Sequence, residues 1–91
     1  IYFTDAEPGD GGNGTSAARA RLDGNRLADL QVIFRQAPKV SSRLHCGSRL
    51  VFDRQGRLFI GLGDRFTAMD EAQNPANHIG KVVRIERDGK V

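Results

Sequence analysis

The run HCGSRLVFDRQGRLFIGLGD opens on His45 and closes on Asp64, with Gly61 and Gly63 just before the aspartate. Asp53-Arg54-Gln55-Gly56 in its middle is a tight-turn signal, because glycine reaches a positive φ at no steric cost. A turn there folds the two halves onto each other, which predicts that His45 and Asp64 are neighbours at one edge of a hairpin. A carboxylate beside an imidazole can hold one ring nitrogen as N–H. The other nitrogen is then free to take a proton, and the carboxylate stabilises the imidazolium that results. Histidine side chains ordinarily titrate near about pH 6.5, which suits a base working at neutral pH. A second account stays open, in which His45 caps its strand and Asp64 accepts from turn amides. On spacing alone that structural account is the stronger of the two.

The remaining candidates carry less. His78 stands next to Gly80-Lys81 at the start of a strand and reads as structural rather than as a ligand or a second base. Cys46 is the only cysteine, so it forms no intrachain disulfide and no paired-cysteine metal site; it reads as a small packing residue. Gly9 to Gly14 has the glycine content of a phosphate-cradling loop but lacks its lysine and following helix, and it lacks the alternating acids of a calcium loop. It reads as a mobile hairpin connection. No serine has the surroundings of a nucleophile.

The elements that must position these residues are strands. Apolar residues alternate, or come in short runs bounded by glycine and aspartate, with little helical periodicity. The chain therefore reads as all-β and antiparallel, with candidate strands at Ile1 to Asp5, Ala17 to Leu22, Gln31 to Arg35, Arg49 to Phe52, Leu58 to Gly63 and Lys81 to Ile85. Leu58, Ile60 and Leu62 share one face of the returning strand, and two glycines on the opposite face mark a bulge or a close approach. Gly24, Gly56 and Gly89 each close a tight turn after a strand that carries arginine. That weak repeat suggests stacked antiparallel units, as in a propeller, more than a closed barrel. Asp70 to Asn77 admits a short helix stopped by Pro75, inside a connection long enough to be functional.

Composition bounds the rest. The 91 residues carry a net charge of +3, and eleven of the fourteen cations are arginine. They are spread among eleven acids rather than clustered, and only Tyr2 and five phenylalanines could stack on bases. Solvated faces are the better reading, and no nucleic-acid partner is expected. No apolar run approaches the roughly 20 residues of a membrane-spanning helix. The chain opens within a strand-like run, Ile1-Tyr2-Phe3-Thr4, with no signal segment.

The string HCGSRLVFDRQGRLFIGLGDR, followed by EAQNPANHIGKVVRIERDG, resembles the soluble quinoprotein sugar dehydrogenases, the glucose/sorbosone dehydrogenase family, and in particular its aldose sugar dehydrogenase branch. The preceding GNGTSAARARLDGNRLADLQVIFRQAPK looks like the same family's earlier strands. The resemblance implies a six-bladed β-propeller holding pyrroloquinoline quinone and calcium over its axis, a periplasmic or secreted location, a sugar substrate and an external electron acceptor. It implies that His45 is the base removing the anomeric hydroxyl proton as hydride goes to the quinone, and that Asp64 orients it. Gln73 is the candidate substrate-contacting residue beyond the Gly-Asp. Leu44 departs from the glucose-specific members, in which an aspartate directly precedes the histidine, and Cys46 stands where aldose-type relatives often have an aromatic. No quinone-holding arginine, lysine or calcium ligand is identified here, and those groups are expected in later blades. At about one and a half blades of four strands, residues 1–91 are expected to be a fragment of a single propeller domain, inactive alone. The alternative is a non-catalytic propeller that binds carbohydrate or protein.

Overall fold

A computed structural model describes residues 1–91. The chain forms two three-stranded antiparallel sheets. The first is β1 (Tyr2–Gly9), β2 (Gly12–Asp23) and β3 (Arg26–Arg35), in sequence order; the second is β4 (Gly47–Phe52), β5 (Leu58–Leu62) and β6 (Val82–Ile85), also in order. Six strands is the number that one and a half blades would hold, here divided three and three. Between β5 and β6 lies one 3₁₀ turn, Met69–Gln73, which ends before Pro75.

The core forms where the two sheets face each other. Leu58, Ile60, Leu62 and Ile85 from the second sheet pack with Ala17 and Ile33 from the first, and Tyr2, Phe34, Leu50 and Val83 close the margins. The alternation of β5 dictates this, since its three aliphatic residues point one way and are buried while Phe59 and Gly61 are only partly covered. The small side chain of Ala17 on β2, buried in this cluster, lets the sheets approach. Tyr2 and Phe52 meet edge to face across the margin, ring centroids 4.9 Å apart.

Three strands run well beyond their expected limits. β1 continues from Asp5 to Gly9, β2 begins at Gly12 rather than Ala17, and β3 begins at Arg26 rather than Gln31. Gly9 to Gly14 is accordingly no mobile connection, because Gly9 pairs with Gly12 around a two-residue turn and the ladder continues through Pro8↔Asn13. Its glycines answer to packing. A Cβ on Gly12 would lie 2.5 Å from the Val40 backbone, and one on Gly14 would lie 2.9 Å from the Lys39 side chain. The segment that follows β3 folds back over this hairpin, and Asn13 and Val40 exchange both backbone hydrogen bonds, at 3.1 and 2.8 Å.

The second sheet brings the open ends of β4 and β5 together. Asp53 Oδ1 accepts from the N–H groups of Gln55 and Arg57, and Gly56 takes φ +79°, so the hairpin turn forms where the sequence places it. At the other end Gly47 pairs with Leu62 but Leu50 pairs with Ile60, a register shift that leaves Ser48 at φ +101°. This bulge turns the start of β4 out of the sheet.

Candidate active site

His45 and Asp64 lie just beyond these two strand ends, with His45 Nδ1 2.7 Å from Asp64 Oδ1. The backbone at this edge is too close for ordinary side chains. A Cβ on Gly63 would fall 1.7 Å from the His45 carbonyl oxygen, and one on Gly47 would fall 2.6 Å from the Gly63 nitrogen. Gly63 N–H donates to the Cys46 carbonyl, and Arg65 N–H donates to the His45 carbonyl, each at 3.1 Å. The glycine before the aspartate thus permits the contact that joins the dyad. Gly61 is different, since its nearest neighbours in that direction are an open 3.8 Å away.

Asp64 is held ionised. Its Oδ1 accepts from Phe66 N–H at 2.9 Å as well as from the histidine. The Phe66 amide first, and the His45 ring second, lower its pKa below the ordinary aspartate value. An ionised carboxylate only accepts hydrogen bonds, so the proton between the two groups belongs to His45 Nδ1. Nε2 then carries the lone pair in the neutral ring. With the His45 side chain 52% exposed, Nε2 is available to a hydroxyl approaching from outside. Phe66 sets its ring edge-on against the imidazole, centroids 5.4 Å apart, and limits the ring's rotation. Of the two accounts left open by spacing, the geometry supplies both the oriented ring and the turn-amide acceptor on one carboxylate.

The other sequence candidates are placed as follows. His78 is structural. Its Nδ1 accepts from Ala37 N–H at 2.9 Å, its main-chain N–H donates to the Ala37 carbonyl at 3.0 Å, and its ring lies on Phe34. Burial, then the Lys81 charge, lowers its pKa. Cys46 is half-buried, and its contribution is the main-chain carbonyl, which also accepts from the Thr15 hydroxyl at 2.9 Å. Gln73 is exposed at the end of the 3₁₀ turn and makes no hydrogen bond to the dyad. Its neighbour Ala72 packs against Gly80, whose added Cβ would also lie 3.7 Å from Asp64 Cβ. The 3₁₀ turn therefore borders the site. Lys81 Nζ pins it by donating to the Glu71 and Ile79 carbonyls. Beside the strand ends is a depression lined in part by Gly47, Ser48, Arg49, Gly63 and Lys81.

Arg65 is the residue sequence reasoning missed. It is fully buried, and it is one of five non-glycine residues with positive φ, four of which (His45, Ser48, Arg65 and Phe66) belong to this edge. Nothing in its type signals burial, because arginine is ordinarily a surface residue. The one available cue is its place directly after Gly-Asp.

Likeness to known proteins bears on the site. The sequence profile of the glucose / sorbosone dehydrogenase family matches residues 1–91. The chain is 39% identical over 94 residues to the aldose sugar dehydrogenase YliI of Escherichia coli (strain K12), covering 100% of this chain and 25% of that protein. A crystal structure of a glucose dehydrogenase superposes with a TM-score of 0.91 at 45% identity, over 99% of this chain and 27% of that one. The soluble aldose sugar dehydrogenase of E. coli, in its apo form, gives the same TM-score at 38% identity, over 100% of this chain and 27% of the other. The chain spans about a quarter of the length of the curated relatives it matches.

Proposed function

The chain belongs to the glucose/sorbosone dehydrogenase family, and from that premise we propose that it is one segment of a six-bladed propeller in which His45 is the base of an aldose oxidation. The observation that carries the reading is the 2.7 Å contact between His45 Nδ1 and an ionised Asp64, on an open edge of a chain whose relatives include sugar dehydrogenases. The substrate's anomeric hydroxyl donates its proton to His45 Nε2, and Asp64 stabilises the imidazolium. Loss of a hydride from the same carbon would give the C–O bond its second component. Pyrroloquinoline quinone, when bound, supplies the hydride acceptor, and the electrons pass on to an external acceptor.

The residues of this segment fit the base and little else of the cofactor apparatus. Arg65, the cation nearest in sequence to the dyad, is buried and occupied by backbone oxygens. No three His, Cys, Asp or Glu side chains converge on a point that could hold a metal. In this reading the quinone and calcium ligands belong to other blades. Leu44, 52% exposed beside the base, offers no hydrogen bond to a sugar hydroxyl, so the reading is a broad aldose specificity with Gln73 at the rim as a substrate contact. The family likeness supports a periplasmic site of action. No helix in the structure is long and apolar enough to cross a membrane.

The test is dye-linked oxidation of a panel of aldoses by the complete protein, with and without pyrroloquinoline quinone and calcium. Cofactor-dependent turnover that collapses in His45→Ala supports enzyme and base together. Turnover indifferent to that substitution removes the dyad, and no turnover on any aldose leaves a propeller that binds without chemistry.

A further inference from the structure

Arg65 puts a full positive charge where the chain is 0% exposed, and no carboxylate lies within 4.0 Å to form an ion pair with it. A buried guanidinium is costly unless its donors are all met. Here four of the five N–H donors are met, all by neutral oxygens. Nε donates to the Leu44 carbonyl at 3.1 Å and Nη1 to the Asn13 carbonyl at 2.8 Å, while Nη2 donates to the Asn13 side-chain oxygen and to the Ser42 carbonyl. The main chain of the same residue completes the ring. Its N–H donates to the His45 carbonyl at 3.1 Å, and its carbonyl accepts from the Ser42 hydroxyl at 2.7 Å.

These contacts have one thing in common. Leu44 is the residue before His45, Arg65 is the residue after Asp64, and Asn13 belongs to the other sheet. Arg65 and Phe66 both sit in the left-handed region, at φ +60° and +64°, and His45 at +51°. Consecutive non-glycine residues of this kind persist only where surrounding structure over-determines them. We infer that Arg65 is a positioning residue: its guanidinium clamps the segment entering His45 to the turn leaving Asp64, and so sets the histidine–aspartate contact and the placement of Phe66 against the ring. The inference rests on the proposed base role. A planar fork can reach four separate oxygens, whereas a lysine ammonium is one donor centre and leaves some of them unmet.

The experiment is Arg65→Lys in the complete protein, alone and combined with Asp64→Asn, with kcat and KM for an aldose and the proton position on the His45 ring read by ¹⁵N NMR. A misplacement of about 1 Å in catalytic groups costs on the order of 100-fold, so kcat is expected to fall about 10- to 100-fold with KM within about twofold. In the Asp64→Asn background the same substitution is expected to cost almost nothing further, because the contact it sets is already lost. The His45 proton is expected to lose its fixed place on Nδ1. If Arg65→Lys lowers thermal stability but leaves kcat and the ring proton unchanged, or if its effect multiplies undiminished with Asp64→Asn, the inference is overturned. Arg65→Met separates charge from volume and is expected to show the same loss of the ring signature. If the unmodified protein oxidises no aldose, the base role fails while the ring signature still decides the clamp.

Discussion

The molecule's two histidines use the same ring nitrogen in opposite ways. At the open edge of the second sheet, His45 Nδ1 donates to a carboxylate at 2.7 Å, and Nε2 is left with the lone pair on an exposed ring. Under β3, His78 Nδ1 accepts from the Ala37 amide at 2.9 Å, which places the proton of the neutral ring on Nε2. An ionised partner fixes one ring's proton on Nδ1 and leaves Nε2 bare. A backbone donor, burial and Lys81 give the other a reason to refuse it. The difference shows that a histidine's usefulness here is set by what faces its second nitrogen and not by its presence in a loop.

Substitution at each ring is the largest break in that comparison. His45→Ala is expected to lower aldose turnover by the complete protein about 10²- to 10⁴-fold, the range of a lost general base. His78→Ala is expected to leave turnover within about twofold and to lower the melting temperature. Asp64→Asn comes next, at about 100-fold or more in kcat. An amide can present N–H toward Nδ1 and favour the wrong tautomer, the effect known from the serine-protease triad.

Two glycines at the C-terminal end of β5, Gly61 within it and Gly63 just past it, differ in the same manner. Gly63→Ala is expected to prevent folding or to destabilise by more than about 3 kcal/mol, because the new methyl would overlap the His45 carbonyl, whereas Gly61→Ala has room and is expected to cost less than about 1 kcal/mol. Chemical denaturation of the two variants, side by side, measures this.

The smallest effect is a pH dependence confined to His78. Its folded pKa is lowered from 6.5, so the neutral ring is the one that folding favours. The stability it contributes is complete above pH 6.5 and is lost as the pH falls through the folded value, where the unfolded chain takes up the proton first. Melting curves between pH 7.5 and 5 should show a fall in His78 protein that His78→Asn, which keeps an acceptor near Nδ1 and cannot titrate, reduces.

Much of this was legible in the residues, and unevenly so. Leu58, Ile60 and Leu62 announce their buried face by alternation, and Asp53 to Gly56 announces the turn that pairs His45 with Asp64. Gly61 in β5 and Gly63 just after it signal close approach, but only Gly63 has it, and what approaches is a carbonyl from eighteen residues earlier that no local pattern reveals. β1 and β2 were foreshortened because Pro8 and the glycines around it read as breakers, whereas pairing across the hairpin and cover from Lys39 and Val40 turn them into ladder positions. Arg65 was illegible for the same reason in stronger form. Three of its four oxygen partners, on Asn13, Ser42 and Leu44, are backbone carbonyls, which every residue type possesses and no sequence motif marks; the fourth is the Asn13 side chain.

The central claim is that His45 is an oriented base and His78 is not, and the most direct measurement is a long-range ¹H–¹⁵N spectrum of both rings at a pH where each is neutral. The account predicts His45 with its proton on Nδ1 and a bare Nε2, and His78 with the reverse. A His45 ring protonated on Nε2, or averaging freely between the two forms, would contradict it.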